Sequence, residues 1–121
     1  MAKPLRHDLG RDTHLERQGG VCVPQIVKAS GGEFLLIDME HNGATFDQVK
    51  TQAALCRGIG IVPLARVPTG QYNHIARALD AGVMGIMVPM VGSAEEARSI
   101  VRSTRYPPEG RRGAAFGSNC W

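Results

Sequence analysis

The sequence predicts an α/β protein built on a parallel sheet. Three apolar runs, 34–39 (FLLIDM), 61–67 (IVPLARV) and 83–90 (VMGIMVPM), recur at a spacing of roughly 25 residues. Each run is followed by a segment with helical periodicity. The runs are continuous rather than alternating, which suits parallel strands covered on both faces.

The elements follow in order. Residues 24–30 (PQIVKAS) read as the tail of an earlier helix, and the only place for a strand before it is 13–16 (THLE). After the first run, 45–57 (TFDQVKTQAALCR) reads as a helix. Thr45 is placed to cap it, and Phe46, Val49, Ala53 and Cys56 fall on one side. Gly58 and Gly60 break it. In the second run Pro63 has no N–H to give to a ladder, which argues against a central strand. The second helix, 71–80 (QYNHIARALD), turns Ile75, Ala78 and Leu79 inward and closes at Gly82. The third, 93–104 (SAEEARSIVRST), opens on Ser93 with Glu96 three residues later, the pattern of a capping box. The stretch "YPPEGRRG" is loop.

Composition narrows the function classes. The 121 residues suffice for one small domain with a core, and 43% hydrophobic against 21% charged content is globular rather than disordered. The formal charge of +3 is spread along the chain, densest at Arg111-Arg112 with Arg102 and Arg105 just before. No aromatic platform or reader motif accompanies it, so no nucleic-acid partner is expected. Cys22, Cys56 and Cys120 form no CxxC pair and no metal-ligand spacing. Scattered cysteines in odd number suit free thiols in a reducing compartment. The N-terminus "MAKPLRHDLGRD" has no apolar core of a signal, and no run approaches the ~18 apolar residues of a membrane span. A cytoplasmic protein without a membrane partner is the expectation.

In parallel α/β folds, active sites gather at the carboxyl ends of strands. Here the first strand ends in Asp38, Glu40 and His41, the second in Arg66 and the third in Pro89-Met90. No GxGxxG or P-loop follows any of them, so the site offers a base, an arginine and carboxylates but no phosphate cradle. Each residue also has a plain structural reading. His41 suits a hydrogen-bonded loop histidine, and Arg66 a solvated strand end. Asp38 and Glu40 share a face by the period of two and suit pairing with an arginine or lysine as well as metal work. Asp80 ends a helix, where negative charge opposes the dipole, which points to a specific partner. His74 reads as exposed, and Met84, Met87 and Met90 as core.

Taken together, "LLIDMEHNGATFDQVKTQ", "PLARVP" and "ARALDAGVMGIMVPMVGSAEEARSIVRSTRYPPEGRRG" closely resemble the HpcH/HpaI aldolase family over about residues 34–117, after a divergent segment 1–33. Five signatures agree in order and spacing: D-x-E-H at a strand end, the arginine after the next strand, L-D-A-G, "VPMV" and "RYPPxGRRG". The resemblance implies a TIM-type barrel assembled as a homo-oligomer, and a carbon–carbon lyase. The reaction implied is the reversible retro-aldol cleavage of a 4-hydroxy-2-oxoacid to pyruvate and an aldehyde. It implies a divalent ion (Mg, Mn or Co) in the full-length family and a small 2-oxoacid as substrate. By the same resemblance His41 is the general base, Arg66 steadies the enolate or alkoxide, and Asp80 raises the basicity of His41. Glu40 lies near the waters of the metal, and Asp38 is a supporting strand carboxylate.

These roles suit the chemistry. Retro-aldol cleavage needs a proton taken from the C4 hydroxyl, and imidazole titrates in the right range for that work. The departing enolate needs opposing charge. A family barrel has eight strands and about 250 residues. Only its first part falls within this sequence, and the family's glutamate and aspartate metal ligands are expected beyond Trp121. The expectation is therefore a single partial aldolase domain that does not hold the ion tightly alone. The alternatives are a catalytically inactive assembly module and a related CoA-ester lyase.

Overall fold

The computed structural model describes residues 22–114. The weak strand expected at 13–16 and the residues after Ala114 lie outside them. The order is α1 (Val23–Ala29), β1 (Phe34–Asp38), α2 (Phe46–Gly58), β2 (Val62–Arg66), α3 (Tyr72–Asp80), β3 (Gly85–Met87) and α4 (Ala94–Thr104). The three strands form one parallel sheet in the order β1-β2-β3. The α/β class and the three βα units expected from the sequence are present.

The register places Phe34 opposite Val62 and Asp38 opposite Arg66, and β2 then pairs with β3 from Leu64↔Gly85 to Arg66↔Met87. Pro63 is tolerated inside β2 because of this register. Its carbonyl accepts from the Met84 N–H at 2.8 Å, and the β3 ladder begins only at the next residue. The missing N–H thus falls ahead of the ladder. At Gly85 a Cβ would stand 2.9 Å from Leu64 Cδ2, so a larger residue there would displace the end of that side chain.

One face of the sheet carries the core. Ile37, Met39, Ala65 and Val67 pack with Val49 and Ala53 of α2, Ala78 of α3 and Val83. Residues two apart on each strand share a face, so Asp38 and Arg66 belong to the other one. The sequence suggested helices on both faces. In the described residues the core helices lie on one, because each right-handed crossover returns its helix to the same side.

Three further expectations are corrected. The third strand is three residues rather than eight, since its ladder with β2 spans only Leu64↔Gly85 to Arg66↔Met87 and the chain then turns at Met90, whose φ is 56°. Met84, Met87 and Met90 are exposed, not core, at 66%, 48% and 91%. Met87 lies on the face without core helices, and Met90 on the turn. His74 is half-buried: its ring stacks on Phe46 with centroids 6.5 Å apart, and its Nδ1 lies 2.9 Å from Thr69 Oγ1.

Side chains close the starts of α2 and α4. Thr45 caps α2 as expected, and Gln48 completes a reciprocal box: the Gln48 N–H donates to Thr45 Oγ1 at 3.3 Å, and the Thr45 N–H to Gln48 Oε1 at 2.8 Å. Thr45→Ala is expected to destabilise the protein by about 0.5–2 kcal/mol, read as a shift in urea midpoint; an unmoved midpoint would show the box is idle. At α4 only half of the expected box forms. Ser93 Oγ accepts from the Glu96 N–H at 3.1 Å, but the Glu96 carboxylate reaches one residue further back, to the Gly92 N–H at 2.9 Å.

Candidate active site

The carboxyl ends of β1 and β2 bring four ionisable side chains together. Asp38 and Arg66 are direct register partners, so their side chains leave adjacent strands on the same face. Arg66 grips Asp38 with one edge of its guanidinium: Nε–H donates to Oδ1 at 2.9 Å and Nη2–H to Oδ2 at 2.6 Å. Fork-to-fork pairing of this kind fixes orientation as well as charge. Asp38 Oδ1 also accepts the backbone N–H of Glu40 at 3.0 Å and of His41 at 3.2 Å. The aspartate therefore shapes the turn that leaves β1.

Glu40 stands between the other two groups. Its Oε2 is 3.5 Å from Arg66 Nε and 3.4 Å from His41 Nε2. Asp38 and Glu40 side chains are 11% and 21% exposed, whereas His41 is 67% exposed. The imidazole is thus the group presented to solvent, with a carboxylate beside it and a guanidinium behind. The Nη1 side of Arg66 carries no hydrogen bond among the described residues and keeps its donors for another oxygen.

The hydrogen bonds from Arg66 hold the Asp38 carboxyl well below the usual carboxylate range. Burial pushes the other way, while the His41 and Glu40 N–H groups and the Arg66 charge assist. The same contact raises Arg66. A carboxylate depressed in the folded state contributes stability that is fully present above the unfolded value of about 3.9 and is lost as pH falls through the folded one. Asp38→Asn is therefore expected to lower stability by a constant amount from pH 7 down to about pH 5, the gap closing only in strongly acidic solution. Urea midpoints across that range check it; a gap closing between pH 7 and 5 would contradict it.

Asp80 is placed elsewhere. It closes α3, which runs back from the carboxyl end of β2 toward the start of β3, and so stands at the other end of the sheet from His41. Its partner is Arg112, whose Nη2 donates to Oδ1 at 2.8 Å. The Arg112 guanidinium also covers the Tyr106 ring at 4.7 Å, and its Nε is buried without a partner among the described residues. The structure thus joins His41, Arg66, Asp38 and Glu40, and within this chain leaves Asp80 apart. The turn from Asp38 to the N–H groups of Glu40 and His41 was missed from sequence, though an aspartate followed by a polar turn is a known signal for it. The Asp80–Arg112 pair has no local signal, being 32 residues apart.

The divalent ion implied by the resemblance does not fit the residues described. No group of three or more His, Cys, Asp and Glu side chains among them is placed to hold an ion. Both oxygens of Asp38 are engaged by Arg66. These residues do not by themselves form a cation site.

Parallel βα units with acid, base and guanidinium at the carboxyl ends of adjacent strands define an α/β protein of the TIM-barrel-like class. Comparison with solved structures agrees: an HpcH/HpaI aldolase from Desulfitobacterium hafniense superposes with a TM-score of 0.76 at 33% identity, over 80% of this chain and 38% of that one. The family model for HpcH/HpaI aldolase/citrate lyase matches residues 23–119, and the chain belongs to that family. A hydroxypyruvate/pyruvate aldolase from Roseovarius nubinhibens is 41% identical over 90 residues, 74% of this chain and 35% of the relative. A 2-keto-3-deoxy-L-rhamnonate aldolase from Klebsiella pneumoniae is 39% identical over 93 residues, 77% and 35% of the two chains. The chain spans about a third of the length of these curated relatives. No helix among the described residues is long and apolar enough to cross a membrane.

Proposed function

We propose that these residues serve a carbon–carbon lyase that cleaves a 4-hydroxy-2-oxoacid to pyruvate and an aldehyde. The observation that carries this reading is the Arg66 guanidinium, tied to Asp38 by one edge and open at the other, within the same cluster as an exposed imidazole. In the forward direction His41 accepts the proton of the C4 hydroxyl. The C3–C4 bond breaks, the C4–O bond becomes the aldehyde carbonyl, and the electron pair passes to C3 as the enolate of pyruvate. Arg66 supplies positive charge and N–H donors to the enolate oxygen. The proton held by His41 then passes to C3, directly or through water, which gives pyruvate and restores the neutral imidazole. Glu40, the carboxylate beside the imidazole in this chain, orients His41, its Oε2 standing 3.4 Å from Nε2.

The test is a chimera in which residues 22–114 replace the matching stretch of the Roseovarius nubinhibens relative. Pyruvate release from a 4-hydroxy-2-oxoacid is the expected result, measured by coupling to lactate dehydrogenase. A chimera that folds and assembles like its parent but releases no pyruvate would refute the reading.

A further inference from the structure

Away from the strand ends, a second cluster of charge lies along α4. A cavity of about 440 Å³ is lined by Glu95, Arg98, Ser99, Arg102 and Arg111. Three guanidiniums face one carboxylate there, leaving two positive charges. Arg98 and Arg102 are four apart on the helix, so they share a face and repel each other, and neither forms an ion pair among the described residues.

The third cation is fixed in place. The segment after α4 folds back on it through the Arg111 N–H to the Arg102 carbonyl at 2.7 Å and the Arg112 N–H to the Arg105 carbonyl at 2.9 Å. Gly110 permits this approach, since a Cβ there would overlap both carbonyls. The Arg111 side chain then donates from Nε to the buried Ser103 Oγ at 3.2 Å and from Nη2 to Ser99 Oγ at 3.3 Å. Its guanidinium lies 5.6 Å from the centre of the Tyr72 ring. An arginine held by two hydroxyls and an aromatic face, yet still lining an open cavity, has little freedom left to lose on binding.

We propose that this cavity is a binding site for a phosphate group. Two uncompensated positive charges match a phosphate dianion, and converging guanidiniums have more donors than a single carboxylate can accept from. The ligand is free phosphate or the monoester of a small metabolite; the two share this chemistry. The site stands on α4 and its returning segment and is independent of the reaction assigned to Arg66 and His41.

Inorganic phosphate and glycerol 3-phosphate are titrated into the isotope-labelled full chain at constant ionic strength, following arginine Nε–H resonances. Saturable shifts of Arg98, Arg102 and Arg111 are expected for at least one of the two. Tighter binding of the ester assigns the source to a phosphorylated metabolite, and equal affinity assigns it to free phosphate. Arg98→Gln and Arg111→Gln should each weaken binding at least roughly tenfold. Arg105→Gln, on an exposed residue paired with Glu109 at 4.0 Å, should leave it unchanged. Because Arg111 also anchors its segment, Arg98→Gln serves as the variant that leaves the packing intact. Non-saturating shifts with both probes, or equal binding by Arg98→Gln, would overturn the proposal.

Discussion

His41→Ala in the chimera with the Roseovarius nubinhibens relative is expected to lower kcat for pyruvate release by about 10²- to 10⁴-fold, the usual worth of a positioned base. The size follows from the site's arrangement. Asp38 is committed to Arg66, and Glu40 faces both Arg66 and His41, so no other side chain in the cluster is an exposed, uncommitted base. KM should move little, because the imidazole acts on the proton rather than on the 2-oxoacid end. Exchange of the C3 protons of pyruvate with solvent deuterium should fall in parallel. If kcat at neutral pH changes by less than about threefold, a factor far below the range for a general base, His41 is not the base.

The second large effect concerns Arg66. Arg66→Ala should cost about 10²- to 10³-fold in kcat, the typical loss on removing a donor to a developing oxyanion. Arg66→Lys should recover no more than about tenfold of that, because an ammonium is a point charge and cannot copy the planar fork. Lysine would have to choose between Asp38 and the enolate, whereas the guanidinium serves Asp38 with Nε and Nη2 and keeps its Nη1 side open. The Lys variant restores charge near Asp38, so it separates loss of fold from loss of chemistry. Near-natural turnover in Arg66→Lys would show that positive charge alone suffices and would remove the argument from the fork.

Much of this site was legible in the sequence because it is local in pattern. Apolar runs ending in D-x-E-H and in arginine place those groups at strand ends, and parallel pairing then aligns the ends. That Asp38 and Glu40 share a face follows from the strand's period, and both do lie near Arg66. The identity of the partner was not legible. A lysine or another arginine would have satisfied the same pattern, and only the register, Asp38 opposite Arg66, decides it. Asp80 shows the converse. Its unfavourable place at a helix end announced a partner, yet Arg112 reaches it only because the segment after α4 folds back. Apolar character does not imply burial in the methionines: Met87 lies on the sheet face that the core helices do not cover.

The Asp38–Arg66 pairing has a consequence for how the chain comes to be folded. The two residues are 28 apart and close the two strands of a single β1–α2–β2 unit. The pairing therefore reports directly on how those strands align. All four ionisable groups of the cluster therefore lie within one stretch of sequence, ahead of α3, β3 and α4. A slip of one residue in pairing would turn Arg66 to the opposite face. The ion pair thus ties register to site: the register that satisfies Asp38 is also the one that assembles carboxylates, imidazole and guanidinium at one end of the sheet.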